Sequence, residues 1–206
     1  MSFYQKHILP KVVNFACSAG QMKKVRSKTI PNAKGQVLEI GFGSGLNLPF
    51  YQGSNVERFV AVEPDSGMRK LAKVRMNDVD FDCEVLGLEA ESIPLDDACM
   101  DTVVVTFSLC TIPDTISALS EMRRVIKPGG KLIFAEHGLA PDAGIAKWQR
   151  RIEPFWKPIG GGCHLTRNPV ELIKGNGFAI DQLEADYLPK IPKFSGYVSF
   201  GQASPV

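Results

Sequence analysis

An acid followed by three alternating glycines, Glu39-Ile40-Gly41-Phe42-Gly43-Ser44-Gly45, closes the first apolar run of the chain. Glycine lets the backbone approach a ligand closely and accepts positive φ. A dinucleotide loop reads G-x-G-x-x-G. Here the third glycine comes one residue early, Leu46 stands in its place, and Glu39 precedes the first glycine by two residues. A carboxylate there repels a pyrophosphate and attracts a cation such as an ammonium or a sulfonium. His137 and His164 are the other residues suited to proton transfer near neutral pH. The five cysteines, Cys17, Cys83, Cys99, Cys110 and Cys163, are scattered and form no C-x-x-C, so neither a disulfide framework nor a zinc knuckle is expected. Cys163-His164 and His137 lack tight spacing and a fourth partner, and no metal is expected.

Apolar runs alternating with amphipathic stretches must position these residues. Strands are expected at 36–40, 58–63, 81–86, 102–107 and 131–136, with a sixth near 178–184 and a seventh near 195–201. Helices are expected after the capping residues Asp65, Asp114 (over 115–126), Asp142 (over 143–152) and Asn168. In the last of these, Pro169 at the first helical position and Glu171 suggest a capping box. Lys127-Pro128-Gly129-Gly130 reads as a tight turn. The alternation argues an α/β fold with a mostly parallel sheet.

The 206 residues suit one domain with a real core, and a net charge of +2 implies no nucleic-acid partner. No apolar run is long enough to span a bilayer, no signal peptide is read, and a cytoplasmic location is the default. Lys6, Lys11, Lys23, Lys24, Arg26, Lys28 and Lys34 precede the first strand with no acid among them. This basic stretch is either a solvated helix face or a segment that rests on a membrane surface or caps a pocket.

Taken together, residues 39–45, Glu63, residues 90–94 and residues 124–130 resemble the class I S-adenosylmethionine-dependent methyltransferases over about 35–137. Residues 108–110, 134–137, 148–149, 153–157 and 159–167 resemble, within them, the thiol S-methyltransferases of animal membranes and their bacterial relatives. The animal proteins begin with a hydrophobic anchor, where this chain has the basic segment. The resemblance implies a seven-stranded, mostly parallel, doubly wound Rossmann-like sheet with the last strand antiparallel and helices on both faces. It divides a single domain into a helical cap (1–34), a cofactor-binding core (35–137) and substrate-side elements (138–206).

The implied cofactor is S-adenosyl-L-methionine, leaving as S-adenosyl-L-homocysteine. Gly41, Gly43, Gly45 and Asn47 would lie along its methionine part, with Glu39 facing the ammonium directly or through water. Glu63, followed by Pro64, would accept both ribose hydroxyls, because two carboxylate oxygens match a vicinal diol. Ala90 and Glu91 would read the adenine edge, and Ser108 and Leu109 would border the methyl group. Cys110, Trp156, Cys163 and Arg167 would line the acceptor pocket, Cys110 as a packed small hydrophobe, with His137 or His164 as a modest base. The implied partner is a small-molecule acceptor, a small apolar nucleophile and foremost a thiol. A phospholipid amine or a quinone precursor stays open, as do a nicotinamide-dependent oxidoreductase and a non-catalytic cofactor sensor. No nucleic-acid partner is expected, since Ser108-Leu109-Cys110-Thr111 replaces the Asn-Pro-Pro-aromatic motif. Peripheral membrane contact through the basic segment is the remaining partner expectation.

Overall fold

The computed structural model describes Tyr4 and residues 8–206, so Lys6 of the basic stretch lies outside the described residues. The strands are β1 (Gly35–Ile40), β2 (Val56–Val62), β3 (Cys83–Leu86), β4 (Met100–Thr106), β5 (Ile126–His137), β6 (Phe178–Tyr187) and β7 (Tyr197–Pro205). They form one sheet in the order β3-β2-β1-β4-β5-β7-β6. β1 to β5 pair in parallel, and β7 runs antiparallel to both β5 and β6. The expected seven-stranded sheet with an antiparallel last strand is therefore present. The chain steps outward from β1 to β3, then crosses back to β4. That reversal opens a crevice at the carboxyl ends of β1 and β4, where open α/β sheets receive ligands.

Both faces of the central strands are buried, which is why they read as continuous apolar runs. One face carries Leu38, Val60, Val103, Val105 and Phe134 against Leu119 and Met122 of α4 (Thr115–Val125) and Ile173 of α6 (Pro169–Gly175). The other carries Val37, Phe59, Val104 and Ile133 with Leu48, Tyr51 and Ala72 of α3 (Ser66–Met76). Two helices precede the sheet, α1 (Leu9–Cys17) and α2 (Gly20–Thr29); α5 (Ala143–Ile159) and the short α7 (Lys193–Gly196) complete the set.

The caps behave largely as expected. The Asp65 side chain accepts from the Met68 N–H, and Asp114 accepts from Ile116 and Ser117. Asp142 departs from expectation: its carboxylate takes the Tyr187 hydroxyl, and only its backbone carbonyl receives Ala146. Only half of the expected capping box forms. Asn168 caps Glu171, but the Glu171 carboxylate turns to Lys174 at 3.7 Å. Residues 127–130 do not separate helix from strand. They bulge within β5, with Met100 opposite Ile126 and Thr102 opposite Lys131, and Gly129 takes φ +81°. α5 runs through Pro154 and Pro158 to Ile159, well past the expected end at 152.

Candidate active site

The glycine loop is pinned at its start, where Gly41 and Phe42 both donate to the Val62 carbonyl at the end of β2 (3.0 and 3.1 Å). Gly41, Gly43 and Gly45 take φ of +68°, +57° and +74°, the left-handed region that disfavours a side chain. A Cβ on Gly41 would lie 2.1 Å from Ser108 Oγ, so the end of β4 presses directly on the loop. Glu63 braces the loop from the other side. Its Oε2 accepts the Gly43 N–H at 2.7 Å and its Oε1 accepts the Asp65 N–H at 2.9 Å. Burial raises its pKa, and these two donors offset part of that rise.

Glu39 is placed behind this loop and is only 1% exposed. Tyr51 donates its hydroxyl at 2.6 Å and Asn47 its amide at 3.0 Å. Asn47 also donates to Thr106 at 2.9 Å and accepts from Arg26 Nε at 2.9 Å. Arg26 is itself buried, with its guanidinium 5.0 Å from the Phe107 ring centre. It thus differs from the exposed Lys11, Lys23, Lys24, Lys28 and Lys34 of the same basic stretch. Neither Arg26 nor Tyr51 was among the residues expected in the site. α2 is thereby tied into the site, and Asn14 of α1 accepts from Ser44 at 2.7 Å.

Desolvation pushes Glu39 up to about 7. The unfolded chain releases that proton near the ordinary value of 4.5. Between the two, the folded state holds the extra proton, so stability declines as pH rises through this window. The scale is about 3 kcal/mol at most, at about 1.4 kcal/mol per pH unit. Glu39→Gln is expected to remove this group's share of the decline, as read from urea midpoints between pH 4.5 and 8. An unchanged slope would show that burial does not hold the proton.

Glu91 lies in a segment fastened by Arg124, which donates to the carbonyls of Ile93 and Leu95 and pairs with Glu121 and Asp97. Its Oε1 accepts from the Asp114 N–H at 3.2 Å, and its Oε2 is buried with no partner among the described residues. Ala90 beside it is buried.

At the end of β4 the backbone turns through Phe107, a non-glycine residue at φ +53° whose N–H bonds the Ala135 carbonyl. Ser108 then donates its N–H to Glu136 Oε1 at 2.9 Å. Glu136 is fully buried, is pushed up to about 7 by desolvation, and has no hydrogen-bond partner for Oε2 among the described residues. Its role was not anticipated, although a charged residue inside the apolar end of β5 is a visible signal.

Three residues expected near the acceptor come together here. His137 Nε2 lies 3.1 Å from Cys163 Sγ, and the donor atoms of Cys110, His137 and Cys163 all lie within 4.8 Å of one another. The neighbouring Cys110 thiol and His137 hold the Cys163 thiol below the usual range, while Cys110, whose thiol donates to the Phe107 carbonyl at 3.8 Å, is pushed up by Cys163 and by burial. Burial lowers His137, but its bond to Cys163 and the nearby negative charges outweigh this, and its pKa is raised.

His164 is turned elsewhere. Its Nδ1 lies 3.0 Å from Glu153, and its N–H bonds the Cys110 carbonyl at 2.9 Å. Arg167 donates to the carbonyls of Leu109 and Ile112, so its charge clamps the turn after β4. Trp156 stacks edge-on to Phe194, with its indole N–H buried and without a hydrogen-bond partner among the described residues. Leu9 of α1 packs against Gly161, bringing the N-terminal helix onto the glycine-rich loop.

The arrangement fits an S-adenosyl compound. It offers bare main chain, a buried carboxylate at the end of β2 and an orphan carboxylate oxygen able to take an exocyclic amine. Comparison with known proteins agrees. The family described as methyltransferase domain matches residues 38–134. Thiol S-methyltransferase TMT1B of Homo sapiens is 32% identical over 182 residues, 84% of this chain and 74% of that protein. Its Rattus norvegicus counterpart is 37% identical over 153 residues, 72% of this chain and 62% of that protein. Demethylmenaquinone methyltransferase of Renibacterium salmoninarum is 34% identical over 136 residues, 63% of this chain and 55% of that protein. The chain thus spans between about half and three quarters of these relatives' lengths. In fold it is similar to a SAM-dependent methyltransferase from Thermotoga maritima, with a TM-score of 0.65 at 20% identity, covering 97% of this chain and 99% of that one. The sheet order, the glycine loop and these relatives together place the chain in the class I S-adenosylmethionine-dependent methyltransferase family.

Proposed function

We propose that the chain transfers a methyl group from S-adenosylmethionine to a small apolar nucleophile, foremost a thiol. The observation that carries the acceptor assignment is the lining of the crevice at the ends of β4 and β5. Leu109, Cys110 and Cys163 are buried there beside His137. Bound in the crevice, the cofactor supplies a methyl made electrophilic by its sulfonium. Gly41, Gly43 and Glu63 hold and orient it, and Leu109 and Trp156 exclude water from the acceptor. An amine or a phenol must shed a proton before it reacts, which calls for a free base. His164 is engaged by Glu153 and His137 by Cys163. A thiol, with a free pKa near ~8.5, already carries some thiolate at neutral pH and depends mainly on positioning. The relatives named thiol S-methyltransferase support the same choice. The test is transfer of labelled methyl by the purified chain to short alkyl thiols, phosphatidylethanolamine vesicles and a demethylated quinone. Methylation of thiols is expected. Labelling of the lipid amine or the quinone alone would contradict the thiol assignment.

A second reading, contact with a lipid surface, is favoured by the outer face of α1. Ile8, Val12 and Phe15 follow helical spacing and are exposed, Phe15 by 80%. Phe155 and Ile159 are exposed on α5, and Tyr4 bonds the Ile159 carbonyl at 2.9 Å. Lys11, Lys23 and Lys24 are exposed on the same two N-terminal helices. An apolar face with a basic border suits the headgroup region of an anionic membrane. Among the described residues, no helix is long and apolar enough to cross one. Co-sedimentation with anionic vesicles, weakened severalfold by Phe15→Glu, is expected. No sedimentation would remove this reading and leave the acceptor assignment standing.

A further inference from the structure

We propose that Cys110, His137 and Cys163 form a binding site for one thiophilic divalent cation of the zinc class, with its fourth position open to the acceptor. The three donors come from separate elements: the turn after β4, the last residue of β5, and the glycine-rich loop after α5. The sequence shows no recognisable ligand spacing because they meet only in the fold. Their donor atoms already lie within 4.8 Å of one another, and both cysteines are buried. Zinc bonds of about 2.3 Å to sulfur and about 2.0 Å to nitrogen place tetrahedral donors about 3.5 Å apart. The 3.1 Å between His137 Nε2 and Cys163 Sγ therefore needs to widen by only a few tenths of an ångström.

The frame is built to hold these donors. The His164 N–H bonds the Cys110 carbonyl at 2.9 Å, locking the two cysteine-bearing loops together. Arg167 clamps the turn after β4 from below. Gly161 and Gly162 take φ of +64° and +93°, which lets the second loop bend back onto β5. Two further buried polar atoms lie next to the cluster. His137 Nδ1 and Glu136 Oε2 are buried with no partner among the described residues.

Two sulfurs and one imidazole nitrogen select soft or borderline metals over magnesium or calcium. Three protein donors with one open position describe a zinc that receives a ligand rather than a purely structural one. A thiol acceptor entering that position forms a metal–sulfur bond and releases its proton to solvent, which presents the sulfur as thiolate. This last role rests on the proposed thiol reading; the metal site itself does not.

The experiment is Co2+ titration of the purified, reduced and chelator-treated full chain, followed by absorption. One equivalent is expected to bind with a sulfur-to-cobalt charge-transfer band that Zn2+ abolishes. Cys110→Ser and Cys163→Ser are expected to weaken Co2+ binding at least tenfold, and Cys83→Ser to leave it unchanged. S-adenosylhomocysteine binding by each variant reports that the fold is retained. No band, or an equal band in Cys163→Ser, would overturn the site. With cobalt bound and no cofactor present, an alkyl thiol is expected to shift the band. A band that forms normally but ignores thiols would overturn the acceptor role and leave the site intact.

Discussion

Gly41→Ala is expected to cost the chain about 2–4 kcal/mol of stability, combining left-handed backbone strain with overpacking. It is also expected to weaken S-adenosylhomocysteine binding by more than about tenfold. The residue sits at φ +68°, and its Cβ would meet Ser108 Oγ at 2.1 Å and Ser108 Cβ at 2.6 Å. Rotating the serine hydroxyl away does not relieve the second contact, so the two backbones must separate. Ser108 cannot retreat easily, because Glu136 holds its N–H at 2.9 Å. Any separation moves the loop that faces the crevice. Gly144→Ala is the control, since a Cβ there meets nothing within 4 Å. Chemical denaturation and calorimetric titration of both variants check the prediction. An alanine at position 41 tolerated as well as one at position 144 would mean that the loop is not tightly held.

Glu63→Ala is the second large effect. Its carboxylate takes one N–H on each oxygen, from Gly43 and Asp65, and so keeps a second acceptor site on each. Charged hydrogen bonds of this kind are worth about 1.5–3 kcal/mol, so cofactor affinity is expected to fall by about 10–150-fold. Asp65→Ala separates binding from folding. It removes only the cap on Met68. A loss of about 1 kcal/mol in stability, with little change in affinity, is expected from it. If Glu63→Ala loses stability and keeps its affinity, the carboxylate is a loop brace alone.

Most of the sheet was legible because parallel strands buried on both faces leave unbroken β-branched runs. Val103-Val104-Val105 is an example, and the acids at the ends of β1, β2 and β5 mark the ligand end. The start of β5 was not, since Pro128-Gly129-Gly130 carries turn chemistry wherever it occurs. Here the turn is absorbed as a bulge between two paired stretches. The length of α5 was hidden by Pro154 and Pro158, which ordinarily end a helix. Tertiary contacts hold the extra turns: Glu153 accepts the Thr166 N–H at 2.8 Å, Trp156 packs edge-on against Phe194, and Tyr4 donates to the Ile159 carbonyl at 2.9 Å.

Within the site, Glu63 and the glycines announced themselves by position relative to a strand. Arg26 did not, because nothing local distinguishes this buried cation from the other basic residues of its stretch. The resemblance put Cys110, His137 and Cys163 near the acceptor, but their close approach was hidden for a different reason. Each residue looks unremarkable alone, and only the meeting of β4, β5 and the loop after α5 brings them together. The imidazole of His164 adjoins Cys163 in sequence, yet it turns toward Glu153 in the fold.

The central claim is that the crevice at the ends of β1, β2 and β4 holds an S-adenosyl compound. Calorimetric titration of the unmodified chain with S-adenosylhomocysteine and, separately, with NADH tests it most directly. One-to-one binding of the first and no heat from the second is the predicted result. Binding of NADH, or none of the homocysteine compound, would contradict it.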